Sequence, residues 1–188
     1  MTKKGSTYEN HLDPKEAKWF AVYTAYKREK IVCRQLNRKG VTAYLPVQKL
    51  VRRYTRKIRT VELPLIRCYI FVKITQKEYV KVLETEQVLG FVNFSKNLIA
   101  IPEWEMELMK RVLGEGIEVN AEKREFYEGD TVEVVSGNLH GLRGKLCSIK
   151  GKKLFLVDLD YLGYTLQMTI DPILLKIIAS EKKVLEQV

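Results

Sequence analysis

The chain has 188 residues, 46% of them hydrophobic, enough for one medium domain or two small ones with packed cores, which excludes wholesale disorder. No apolar run nears the roughly 20 residues of a membrane helix, and the polar start MTKKGSTYEN carries no secretory signal, so a cytoplasmic protein without a membrane partner is expected. The net charge of +10 is uneven: residues 1–117 hold 23 Lys/Arg against 12 Asp/Glu, residues 118–188 hold 10 against 11, and a localised basic excess suits a polyanion.

Residues 1–17 are polar and read as a flexible tail. Residues 19–24, WFAVYT, read as a buried strand. Residues 27–39 carry a helical period and stop at Gly40, a residue suited to the position after a helix. On a helical wheel Val32, Cys33 and Leu36 share the core face, while Lys27, Lys30, Arg34 and Arg38 share the opposite one. Residues 41–47 form a second strand, with Pro46 near its end. Residues 49–59 hold Lys49, Arg52, Arg53, Arg56, Lys57 and Arg59 with no acid, and fit a β-hairpin with a basic tip. Residues 69–74, YIFVKI, predict a central strand. Thr75 caps a short helix to about residue 84 that buries Tyr79, Val82 and Leu83. Residues 88–94 form another strand. A last helix starts at Pro102, with Trp104, Leu108 and Val112 on one face and Glu103, Glu105 and Glu107 as its acidic first turn. The order β-α-β-β-β-α-β-α makes an α+β sandwich, with helices on a mainly antiparallel sheet.

Residues 114–125, GEGIEVNAEKRE, read as a linker. Only short strands follow, at 131–135, 145–150, 153–159, 164–170 and 173–178. They predict a small five-stranded β-barrel over 126–179, with a tail at 180–188. Within it, FYEGDTVEVVSGNLHGLRGKL at 126–146 is the most informative stretch. It turns at Gly129-Asp130, and Gly137, Gly141 and Gly144 suit left-handed backbone or close strand approach.

That stretch resembles the KOW motif of transcription and ribosomal proteins. Residues 19–23 resemble the opening strand of the NusG N-terminal domain, and Tyr44-Leu45-Pro46 its second strand. Residues 64–72, PLIRCYIFV, resemble the segment usually written phenylalanine-proline-glycine-tyrosine plus apolar residues, and residues 88–92 the next strand. These blocks, in this order, resemble a NusG-family transcription factor: an N-terminal α/β sandwich over residues 18–113, then a KOW barrel. Arg67 and Cys68 depart from the family's proline-glycine pair. With the arginine-rich hairpin, they lean toward a specialised paralogue of the RfaH or UpxY type, which act on particular operons such as those for capsular polysaccharide.

The resemblance implies that the N-terminal domain docks on the clamp helices of the largest RNA polymerase subunit. The matching positions are Tyr23, Leu65, Ile66 and Tyr69. It places Lys27, Lys30, Arg34 and Arg38 toward upstream or non-template DNA, the alternative being a solvated helix face. Arg52, Arg53 and Arg56 of the hairpin share both readings, with nascent RNA a further ligand and Tyr54 a stacking partner for a base. The KOW domain is implied to recruit a small-subunit ribosomal protein or Rho through Tyr161, Leu162 and Tyr164. Core-covering tyrosines are the alternative there. The β-branched and aromatic residues of 153–170 predict a barrel that does not refold into helices.

No cofactor, metal or catalytic group is expected, and the protein is expected to be a monomer and not an enzyme. His11 and His140 have no nucleophile or metal neighbour in sequence, and GLRG at 141–144 matches no phosphate loop. Cys33, Cys68 and Cys147 are odd in number and widely spaced, which suits reduced thiols rather than disulfides or zinc. Two other functions fit the same residues: the housekeeping NusG, and a ribosome-associated RNA-binding KOW protein.

Overall fold

A computed structural model describes residues 8–55, 57–125 and 128–179, with the Tyr54 side chain also left out. In chain order the elements are β1 (Lys18–Thr24), α1 (Glu29–Arg38), β2 (Thr42–Tyr44), β3 (Val47–Tyr54), β4 (Lys57–Pro64), β5 (Tyr69–Ile74), α2 (Tyr79–Leu83), β6 (Val88–Phe91), α3 (Glu103–Gly114), β7 (Val119–Lys123), β8 (Asp130–Val134), β9 (Arg143–Ile149), β10 (Lys152–Leu159), β11 (Tyr164–Met168) and β12 (Leu175–Ala179). They divide into two compact units: Met1–Val47 with Ile66–Glu107, and Gln48–Leu65 with Leu108–Val188. The predicted α+β class holds. Four strands stand between α1 and α2 where the predicted order shows three, because the expected hairpin supplies two of them, β3 and β4; Pro46, which cannot donate to a ladder, separates β2 from β3.

The first unit is built on an antiparallel sheet in the order β2-β5-β1-β6. Side chains alternate across it. Phe20, Val22, Ile70, Val72 and Ile74 meet Val32 and Leu36 of α1 and Val82 of α2 in one buried cluster. Trp19, Ala21 and Tyr23 point the other way, opposite Lys73, Phe71 and Tyr69. Glu103 of α3 accepts hydrogen bonds from Trp19 Nε1 at 3.0 Å and Lys73 Nζ at 2.8 Å. Gly40 ends α1 as expected, at φ 78°.

Several expectations are corrected. Lys27 lies before α1, in a turn at φ 59°. Thr75 does start a helical segment, closed by the Glu78 carboxylate, which accepts from the Thr75 N–H at 2.8 Å, but Leu83 is exposed. Trp104 is exposed, whereas Glu105 is fully buried, so the three glutamates of α3 are not an equivalent acidic turn. Residues 9–13 are not loose: His11 N donates to Leu98 O, Leu98 N to Glu9 O and Gln76 N to Asp13 O. Residues 1–7, the rest of the expected tail, lie outside the described residues.

The second unit carries an antiparallel sheet of six strands, not five, in the order β12-β8-β9-β10-β11-β7. The additional strand is β7, where a linker is expected. It pairs with β11 from Val119↔Met168 to Lys123↔Tyr164. Its polar sequence hides it, because a ladder is held by backbone groups that every residue but proline provides. Gly144 is required by close approach: a Cβ there would stand 2.8 Å from carbons of the Phe155 ring. Gly141 is required by φ 79°. Strands β3 and β4 form a separate two-stranded ribbon, as the hairpin reading expects. Phe126, Tyr127 and residues 180–188 lie outside the described residues.

Candidate functional site

One end of the β1–β5–β6 face is tyrosine beside bare backbone. Tyr23 and Tyr69 are directly opposed across β1 and β5. Their hydroxyls are 2.8 Å apart, and their rings meet edge to face with centroids at 4.7 Å. On the other side Tyr23 is opposed by Gly90, whose missing side chain leaves open space. The result is an aromatic ridge flanked by a depression, with Tyr23 39% exposed. An apolar helix face seats well on such a surface, which offers area and a hydroxyl together.

The loops around this ridge are tightly held. Cys68 sits at φ 63°, donates its N–H to Glu29 Oε1 at 2.8 Å and accepts from Thr24 N at 2.9 Å. Gln87, at φ 71°, accepts from Ala25 N at 2.9 Å. Of the four residues matched to polymerase docking, Tyr23 is exposed and Tyr69 half-buried, while Leu65 and Ile66 are buried at 6% and 4% exposure. Their side chains are covered by protein rather than displayed at the surface. The sequence reading missed Gly90; the clue was a glycine inside the β-prone run VLGFV.

The cations occupy two elements, each described separately. On α1, Lys30, Arg34 and Arg38 are exposed on the face opposite Val32 and Leu36, as the helical period predicts. Arg34 Nε donates to Lys30 O at 3.2 Å, and Lys27 Nζ stands 5.1 Å from the centre of the exposed Tyr26 ring. On the ribbon, Arg52, Arg53, Lys57 and Arg59 are exposed. Arg56 and the Tyr54 ring lie outside the described residues.

Between β10 and β11 the loop is pinned by Arg124, whose guanidinium pairs with Asp158 and Asp160 and whose N–H donates to Gly163 O at 2.9 Å. Tyr161 is exposed and Tyr164 half-buried. Leu162 is 3% exposed, so its side chain packs inside rather than projecting from the loop.

Burial, with the Glu107 charge, pushes the Tyr44 phenol up to about 12. Burial raises the Cys33 thiol, opposed by a hydrogen bond from Asn37. The N–H groups of Glu16 and Lys15 lower Asp13. Among the described residues, no three His, Cys, Asp or Glu side chains gather to hold a metal ion.

A family model described as transcription termination factor nusG matches residues 17–110, half of the chain. The chain belongs to the NusG family. NusG-family proteins are transcription elongation factors rather than enzymes. The chain is similar to the solved structure of Thermotoga maritima NusG, described for its domain interaction, with 19% identity over 87% of this chain and 98% of that one, at a TM-score of 0.55. Two conformations of the MjSpt4:Spt5 complex match at 18% identity, over 86% and 87% of this chain and 99% of those, with TM-scores of only 0.28 and 0.29. No curated protein matches. In the NusG-type segment at residues 64–72, Cys68 takes the left-handed backbone that the family's usual glycine would adopt without strain. No helix among the described residues is long and apolar enough to cross a membrane.

Proposed function

We propose that this NusG-family chain is an elongation and antitermination factor that docks on the clamp helices of RNA polymerase through the ridge of Tyr23 and Tyr69. The opposed tyrosine pair beside the bare backbone of Gly90, with Tyr23 exposed, carries the proposal. It offers an amphipathic helix an aromatic ridge, a neighbouring depression and two hydroxyls. A factor bound better to the closed clamp than to the opened, paused state shifts that equilibrium. A differential affinity of about 1–2 kcal/mol changes pausing several-fold, with no chemistry by the factor itself.

Lys30, Arg34 and Arg38, with the ribbon arginines, supply a salt-sensitive contact to upstream or non-template DNA or nascent RNA. The second unit offers Tyr161 and Tyr164 to a partner, a small-subunit ribosomal protein or Rho. Action on particular operons, such as those for capsular polysaccharide, is supported by the arginine-rich ribbon and the Arg67-Cys68 departure.

The test is capture of purified polymerase from the source organism by wild type and by Tyr23→Asp. The substitution places a charge in the proposed apolar contact, and thermal unfolding of the variant establishes that it is folded. Loss of capture by the folded variant is expected. Equal capture would remove the ridge from the docking surface.

A further inference from the structure

The second unit holds a cavity of about 150 Å³ where the end of β8 meets the turn before β12. Its lining is apolar at Ile117, Val134, Leu139 and Leu174, and charged at Glu115 and Asp171, both acids. Hydrogen bonds fix its walls. Arg111 Nη2 donates to Asn138 O at 2.9 Å and to His140 O at 3.1 Å. Val135 N donates to Leu174 O at 2.9 Å, and Asp171 Oδ1 accepts from Ile173 N at 3.0 Å. A cavity held in this way is formed before a ligand arrives. Glu133, Asp158 and Asp160 of the same unit pair with arginines. Among the described residues, no cation pairs with Glu115 or Asp171. Ile173 and Val135, next in sequence to lining residues, are exposed at 81% and 41% and give the cavity an apolar surround.

We propose that this cavity receives a lysine side chain of a protein partner, its methylenes against the apolar lining and its ammonium on Glu115 and Asp171. The inference goes beyond the contacts proposed above, which leave the cavity unused. Lysine joins an aliphatic stem to a cationic head, and those two halves match an apolar lining with acidic groups. An apolar cavity of about this volume admits benzene, which has more heavy atoms than the lysine side chain. Arginine carries a wider, planar head that suits this volume less. A purely apolar side chain would desolvate the two carboxylates without pairing them. A protein is favoured over a free amine because Ile173 and Val135 offer apolar contact to the residues that flank the lysine. Residues 118–188 hold 10 Lys/Arg against 11 Asp/Glu, so this part of the chain does not repel a cation.

The test titrates the isotope-labelled full chain with acetyl-Leu-Lys-Leu-amide and follows the backbone amide resonances. Saturable shifts are expected at Ser136, Asn138 and Asp171. Three control probes are the same peptide with norleucine for lysine, the same peptide with Nε-acetyl-lysine, and butylamine alone. Each is expected to bind at least about tenfold more weakly. Glu115→Gln/Asp171→Asn is expected to weaken the lysine peptide about tenfold. Thermal unfolding should be unchanged, because neither carboxylate has a cation to lose and an amide oxygen still accepts from Ile173 N. Should that variant fail to fold, the comparison of lysine with norleucine on wild type decides alone. Capture of polymerase should be unchanged, so a failure here is separate from a failure of the Tyr23 ridge. The proposal is overturned if the norleucine peptide or butylamine binds as well as the lysine peptide. It is also overturned if the folded double variant binds like wild type, or if the shifts do not saturate at the cavity.

Discussion

The Glu29 carboxylate accepts the backbone N–H of Cys68 at 2.8 Å, tying the first turn of α1 to the residue before the Tyr69 strand. Cys68 is left-handed and carries a side chain, a conformation that costs about 1–2 kcal/mol outside glycine. Cys68→Gly is expected to hold or raise stability by up to about 1 kcal/mol, partly offset by glycine's greater freedom when unfolded. Glu29→Ala strands the N–H and is expected to cost about 1–3 kcal/mol. Denaturant unfolding of both variants measures the difference, and equal stability would show that the bond is dispensable.

At Gly144 alanine should be far worse than at Gly137. A Cβ at Gly144 collides with the Phe155 ring and the Leu156 backbone, whereas at Gly137 it meets open space and only the strain of φ 79°. The expected losses are about 3 kcal/mol or more at Gly144 and about 1 kcal/mol at Gly137. Comparable melting temperatures would contradict the strand spacing described.

High pH should act through Tyr44. Its folded-state value, raised mainly by burial and also by Glu107, exceeds the unfolded one, so its contribution is complete below pH about 10. That contribution declines as pH rises toward about 12. Tyr44→Phe should lack this part of the alkaline decline when urea midpoints are followed across the window.

In the loop after β10, Leu162→Ala should cost about 2–5 kcal/mol as a buried truncation. Tyr161→Ala should change stability by less than about 0.5 kcal/mol and weaken partner capture by the second unit. Unfolding of both variants, followed by capture of the ribosomal protein or Rho, distinguishes a packing role from a docking one.

Much of the fold was legible because its signals are local. The alternation in YIFVKI, the stop at Gly40 and the glycines of 137–144 each reflect one residue's own backbone or face. The misses are tertiary. β7 is polar and is recruited by pairing with β11. Gln48 adds to it from the ribbon, donating to Val119 O at 2.9 Å and accepting from Val119 N at 3.2 Å. Trp104 and Glu105 exchange the exposure their types suggest, since the side of α3 that is covered is set by neighbours distant in sequence. At the candidate site Tyr23 is exposed and Tyr69 half-buried, whereas Leu65, Ile66 and Leu162 are buried. An apolar residue in a loop reads the same whether it faces a partner or the core.

The ribbon is an insertion between β2 and β5, which are neighbours in one sheet. The two ends of the inserted segment are therefore held together by strands that do not depend on its length. Closing a longer loop across that fixed gap costs only a logarithmic increment of chain entropy, about 0.6 kcal/mol per doubling. Descendants of such a gene can lengthen, shorten or recharge this one segment and so acquire new targets. The sheet, and the aromatic ridge on it, need not change.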